Sequence, residues 1–376
     1  MKELGANAIR VYHVDPDGDH DGCMQAFADN GIYLMVDLDD FDTDIDPKGA
    51  VWTTSQYNAF ARNFDAFAKY TNTLGVFVGN EVIARANQSE AAPFIKAAAR
   101  DMKAYRDQKG YRKIPVGYSA ADIAELRPML QDYLACGTNS SEAIDFFGLN
   151  AYEWCNPTDT FETSGYIKLN QMTEGYPLPI FFSETGCNTN RPRLFLDQEA
   201  ILGDQMSHIW SGTIVYEWIE EMNNYGLISY AEPVGPTATG KDIYDGFVRK
   251  GTPTPVQPDF SNLQAVWKTL TPTGTPSSKY TPSVTTIACP ASTVDGWLVD
   301  GDVNIPRQND VLTIHATLTS SNTNSTPSTT ATNVASTTTP AAAATSTGGA
   351  GTLTDMRLTG CAGALIAVML GFTIWL

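Results

Sequence analysis

Basic residues are scarce in this chain. Lys and Arg together number 24 against 42 Asp and Glu, which leaves a formal charge of −18. So acidic a surface repels phosphate backbones, which excludes nucleic acid as a partner and suits a neutral polymer such as a polysaccharide. Histidine is scarcer still: His13, His20, His208 and His315 are scattered, and none has the i, i+4 spacing of a helical metal site. Neither a Cys-x-x-Cys pair nor a Gly-rich phosphate loop is present. No metal, nucleotide or other cofactor site is expected. The first residues, Met1-Lys2-Glu3-Leu4-Gly5-Ala6-Asn7, contain no signal peptide and read as the middle of a domain.

What the chain does have is apolar residues, 43% of the total, enough for a sizeable core. Residues 1–270 mix apolar runs with helical patterns and read as one globular domain. Residues 271–315 form a post-domain segment whose apolar patches, Trp297–Val303 and Val311–Ile314, are expected to dock on it. Residues 316–350 are rich in Ser, Thr and Ala and bury too little to offset chain entropy, so a disordered stalk is expected. Residues 351–376 bring a polar spacer and the uncharged tail Cys361–Leu376, placed after the small residues Gly348, Gly349, Ala350 and Gly351. That order is a glycosylphosphatidylinositol (GPI) attachment signal, with a plain C-terminal membrane anchor as the alternative. With Cys361 lost alongside such a tail, Cys23, Cys136, Cys155, Cys187 and Cys289 remain. An odd count in an exported chain implies an absent partner, so an upstream segment is expected.

Seven short β-branched or aromatic runs are legible: Ala6–Tyr12, Ile32–Leu38, Leu74–Gly79, Ile114–Tyr118, Ile144–Leu149, Leu178–Ser183 and Thr213–Trp218. Helical patterns at Gln56–Thr71, Ala91–Gln108 and Gln198–Trp210 fall between them. Strand–helix alternation over about 250 residues suits a (β/α)8 barrel, a TIM barrel, lacking its first strand here. An open α/β sheet is the competing architecture. In the barrel reading the third and sixth runs are strands four and seven, ending in Asn80-Glu81 and in Glu184. Barrel chemistry sits at the C-terminal strand ends, where both glutamates fall.

Two carboxyl groups facing each other over a sugar are what glycosidic cleavage requires. One protonates the leaving oxygen and the other attacks the anomeric carbon or activates water. Glu81, near anionic Glu184 in a partly apolar cleft, is expected to have a raised pKa, while Glu184 stays ionised to attack.

At these residues the sequence resembles the β-1,3-glucanosyltransferases of glycoside hydrolase family 72, the fungal glycolipid-anchored surface proteins. The matching stretches include Asn7-Ala8-Ile9-Arg10-Val11-Tyr12, Val78-Gly79-Asn80-Glu81-Val82, Asn150-Ala151-Tyr152-Glu153-Trp154-Cys155, Phe181-Phe182-Ser183-Glu184-Thr185-Gly186-Cys187 and Arg191-Pro192-Arg193. The resemblance implies Glu81 as acid/base, Glu184 as nucleophile and transfer between donor and acceptor β-1,3-glucan chains at the wall face of the plasma membrane. It implies substrate contacts at Tyr12, Asn80, Asp122, Arg127, Tyr152 and Tyr216. Direct sugar contact and structural ion pairing stay open for Asp122 and Arg127. The acidic loop Asp39–Pro47 is a further candidate subsite wall. At Glu217-Trp218-Ile219 the chain departs from the family pattern, which puts subsite shape there in question. The same pattern implies disulfides Cys136–Cys289 and Cys155–Cys187, the first tying residues 271–315 down, and leaves Cys23 without its partner. Asn87, Asn139 and Asn324 occupy glycosylation sequons. A β-glucan hydrolase on the same barrel and a non-catalytic glucan-binding protein are the other readings.

Overall fold

The computed structural model describes residues 1–273, 279, 287–294, 296–312 and 366–370. Seven parallel strands run β1 (Ala8–Val11), β2 (Tyr33–Asp37), β3 (Thr73–Asn80), β4 (Val116–Ala121), β5 (Phe146–Asn150), β6 (Ile180–Thr185) and β7 (Trp210–Val215). Each pairs with the next in chain order, and the set closes into a barrel. The position between β1 and β7 is held by Ile366–Leu370, antiparallel to both. Seven parallel strands, one short of the full set, are what the sequence pattern predicts. The stalk 316–350 and the rest of 351–376 lie outside the described residues.

Helices α1 (Asp21–Asp29), α2 (Thr54–Ala68), α3 (Ala92–Gln108), α4 (Arg127–Ala135), α5 (Tyr166–Thr173) and α6 (Leu196–Leu202) fill the crossovers, and α7 (Asp259–Thr269) follows β7. Helix α2 starts at a capping box in which Thr53 and Gln56 satisfy each other's backbone N–H. The pattern Gln198–Trp210 is helical only to Leu202; Trp210 instead opens β7, buried at 2% exposure. Period-two alternation sorts β1: Ile9 and Val11 join the layer under the helices, whereas Ala8 and Tyr12 join the barrel interior. Phe77, Phe146 and Phe181 plug that interior, with ring centroids 5.1 and 5.7 Å apart along the series.

Beyond α7 the chain returns to the barrel. Trp297 and Val299 are fully buried, and the Trp297 ring lies 5.5 Å from that of Tyr133. In the second patch Leu312 packs partly buried against the core while Val311 is 81% exposed, and next to them Asn309 bonds Thr54. Ile314 lies outside the described residues. Disulfides join Cys136 to Cys289 and Cys155 to Cys187, with Cα atoms 5.0 and 5.1 Å apart. Cys23, expected to lack its partner, is disulfide-bonded.

Candidate active site

The site is built on a buried cation. Arg10, fully buried on β1, donates Nε and Nη2 to the two carboxylate oxygens of Asp37 at 2.8 and 2.6 Å. Its Nη2 also reaches Asn80 Oδ1 at 2.9 Å, and Nη1 reaches Ser119 Oγ at 3.1 Å and Glu184 Oε1 at 3.4 Å. The guanidinium lies 4.3 Å from the ring centres of both Tyr12 and Phe77. A buried charge survives only when paired and hydrogen-bonded, and here every edge of the fork is used.

Glu184, 8% exposed, is the last residue but one of β6. Tyr12 donates to its Oε1 at 2.7 Å and Tyr152 to its Oε2 at 2.8 Å. Burial pushes the Glu184 carboxyl up to about 7 and the charge of Glu81 adds to that, while Arg10, Tyr12 and Tyr152 pull it back. Both phenols are themselves held well above the ordinary tyrosine range, mainly by burial, so they stay protonated donors. Glu81 follows β3 with φ 50°, a left-handed conformation, its backbone N–H bonded to Ser119 O at 2.9 Å. Its side chain is exposed and accepts from Asn150 Nδ2 at 2.9 Å. Glu184, expected to stay readily ionised, is thus a raised carboxyl, because desolvation falls on it.

Asn150 joins the two halves. Its amide also donates to Asn80 Oδ1 at 3.0 Å, and its Oδ1 accepts from Ser119 and Ser183, each at 2.8 Å. This approach needs a glycine beside it: a Cβ on Gly148 would stand 2.6 Å from Ser183 Oγ. Register shifts between Phe77 and Asn80, Leu149 and Asn150, and Phe182 and Thr185 aim these strand ends inward.

Of the sequence-derived residues, Tyr12, Asn80, Glu81, Tyr152 and Glu184 converge. Tyr216 joins them through ring contact, 6.3 Å from Tyr12 and 5.3 Å from Tyr225. Asp122 and Arg127 form an ion pair, and Arg127 is 4% exposed. In the Asp39–Pro47 loop Asp39 is buried, its carboxyl pushed well up by burial and Asp37, while Phe41 stands 66% exposed with its ring 4.1 Å from His13. Trp218 and Ile219 are buried in the core, with Trp218 against Phe260. Glu217 is buried too, raised to about 8 by burial and by Glu221. The sequence reading gave no role to Arg10, Asp37, Ser119, Asn150 or Tyr225. Their one available signal is position: Arg10 is a charge inside an apolar strand, and Asn150 ends β5 as Asn80 ends β3.

The glucanosyltransferase family model matches residues 1–242. The 1,3-beta-glucanosyltransferase gas2 of Schizosaccharomyces pombe is 38% identical over 307 residues, 80% of this chain and 63% of that protein. The pH-responsive protein 1 of Candida albicans is 41% identical over 280 residues, 74% of this chain and 51% of that one. Among solved structures, Saccharomyces cerevisiae Gas2p in complex with laminaritetraose and laminaripentaose superposes with a TM-score of 0.69 at 36% identity, covering 81% of this chain and 63% of that one. The chain thus spans less than two thirds of the length of these relatives.

Proposed function

The chain belongs to the glucanosyltransferase family, and from that premise we propose that it is a retaining β-1,3-glucan transglycosylase working through Glu184 and Glu81. In the first step Glu184 attacks the anomeric carbon of an internal β-1,3 linkage while Glu81 gives its proton to the departing oxygen. The bond to the leaving chain breaks and a glycosyl-enzyme forms on Glu184. In the second step the ionised Glu81 takes the proton of an acceptor-sugar hydroxyl, whose oxygen displaces Glu184 at the same carbon. A longer β-1,3-glucan results and both carboxyls return to their starting states.

One observation carries this reading: a buried carboxylate gripped by three donors and electrostatically coupled to an exposed carboxyl on another strand. The grip orients one oxygen pair for attack, and the exposed partner can exchange protons. Asn80 Oδ1 is occupied by Arg10 and Asn150, which leaves its NH2 for a sugar hydroxyl. The rings of Tyr12, Tyr152 and Tyr216 supply stacking surface. Donor and acceptor are both β-1,3-glucan in this proposal. The deciding experiment incubates the protein with a reduced laminarin oligosaccharide. Products longer than the donor establish transfer, whereas shorter products alone mean hydrolysis.

For location we propose an exported glycoprotein held by a GPI anchor at the outer face of the plasma membrane and the wall. Two disulfides favour an oxidising compartment, and the sequon residues Asn87 and Asn139 are exposed; Asn324 lies outside the described residues. Anchor attachment would remove Ile366–Leu370 from the barrel. Mass spectrometry of the mature C-terminus decides: a processed, lipid-bearing end supports the anchor, and an intact Leu376 refutes it.

A further inference from the structure

We propose that Arg193, locked by Asp259, is a positioning residue for Glu184, fixing a closed circle of tyrosines through which that carboxylate keeps its donors. The proposal rests on the active-site reading above. Arg193 is 2% exposed and Asp259 fully buried at the start of α7, beyond the 1–242 span of the family match. Nε of Arg193 donates to Asp259 Oδ2 at 2.7 Å, and its backbone N–H to Oδ1 at 3.2 Å. Arg191 adds a third donor to the same carboxylate at 3.0 Å.

The free edges of the guanidinium then hold three carbonyls. Nη1 donates to Tyr216 O at 2.9 Å and to Gly186 O at 3.5 Å, and Nη2 donates to Tyr225 O at 2.6 Å. Gly186 lies two residues past Glu184, while Tyr216 and Tyr225 bracket the turn after β7. One side chain therefore sets the separation of three segments around the cleft.

Two of those carbonyls, of Tyr216 and Tyr225, belong to residues in a ring of contacts that returns to its origin. The Tyr225 ring sits 5.7 Å from Tyr152 and 5.3 Å from Tyr216, and Tyr216 sits 6.3 Å from Tyr12. Tyr12 and Tyr152 close the circle by donating to the two oxygens of Glu184. Hydrogen bonds of 2.7 to 2.8 Å to an anion weaken when their donors are displaced by tenths of an ångström, and the carboxyl then holds its proton more tightly. The charged and titratable groups facing Glu184 are Arg10 and Tyr12 from β1, Glu81 after β3, Tyr152 after β5, and Tyr216 and Tyr225 after β7. Arg193 reaches the carboxylate only through the backbone of Gly186, Tyr216 and Tyr225.

The test is an infrared titration of the Glu184 carboxylate in the full chain, with Glu184→Gln as the difference reference. Arg193→Lys keeps a cation beside Asp259 but gives up the bonds to the carbonyls. Its Glu184 midpoint is expected to rise by about one pH unit, with kcat down about tenfold and KM changed less than about twofold. A folded Arg193→Lys protein with the wild-type midpoint overturns the proposal. Should Arg193→Lys not fold, Tyr225→Leu removes the half-buried ring between Tyr152 and Tyr216; the same rise supports the circle and an unchanged midpoint overturns it. The titration needs no turnover, so a protein that fails to transfer glucan yet shows the shift would sink the transferase reading and leave this one standing.

Discussion

The ends of β3 and β6 carry the same side chain into the same cleft, yet their surroundings differ in almost every respect. Glu184 is buried beneath three donors, and its carboxyl is pushed up to about 7. Glu81 stands exposed on a left-handed residue with one amide donor. A nucleophile must be aimed, which requires donors and exclusion of water. A proton shuttle must meet the leaving oxygen and then an acceptor hydroxyl, which requires access. The two environments follow the two tasks.

Substitutions can test that contrast. Glu184→Gln is expected to abolish transfer, by about 10⁴-fold or more, because no other group can form the glycosyl-enzyme. The same change should raise Tm at pH 8 and much less at pH 5. A carboxyl raised in the folded state adds stability only while protonated there, and loses that contribution as pH climbs from the unfolded value through about 7. Equal Tm gains at both pH values would contradict this. Glu81→Gln should slow glucan transfer by about 10² to 10⁴-fold yet spare glycosyl-enzyme formation from an aryl glucoside whose leaving group needs no proton. Mass detection of the trapped adduct checks that.

Smaller effects sharpen the picture. Tyr152→Phe removes one donor from the anion, so kcat/KM should fall about tenfold and its acidic limb, set near 7 by Glu184, should move upward. An unmoved limb would mean the phenol has no hold on the nucleophile. Last, Asp122→Asn removes the ion-pair partner of buried Arg127 and leaves Glu153 as the anion near it, at a stability cost of up to about 3 kcal/mol, while kcat should stay within about threefold. A large kcat loss with unchanged Tm would instead favour direct sugar contact.

Most of the frame was legible in the sequence. Each of the seven apolar runs became a parallel strand, because strands buried on both faces need continuous β-branched and aromatic side chains. The glutamates were legible because strand ends are where a barrel gathers its chemistry. Arg10 was not: its partners Asp37, Asn80, Ser119 and Glu184 lie 27 to 174 residues away, and no local pattern marks a cation for such a role. The helix Gln198–Trp210 failed for a related reason. Trp210 packs on Phe182 at 4.3 Å, and tertiary contact overrode the helical period. The raised carboxyl of Glu184 was a matter of depth, which strand-end position alone does not reveal.

The bond between Cys136 and Cys289 spans 153 residues and runs around β5, β6, β7 and α7. It makes a covalent lasso that carries Glu184 and leaves Glu81 outside the loop. Closing a loop of that length removes about 5 kcal/mol worth of freedom from the unfolded chain. Opening it would loosen the nucleophile's portion of the barrel although the sulfur atoms take no part in the chemistry, so a reducing milieu should disarm the protein from a distance.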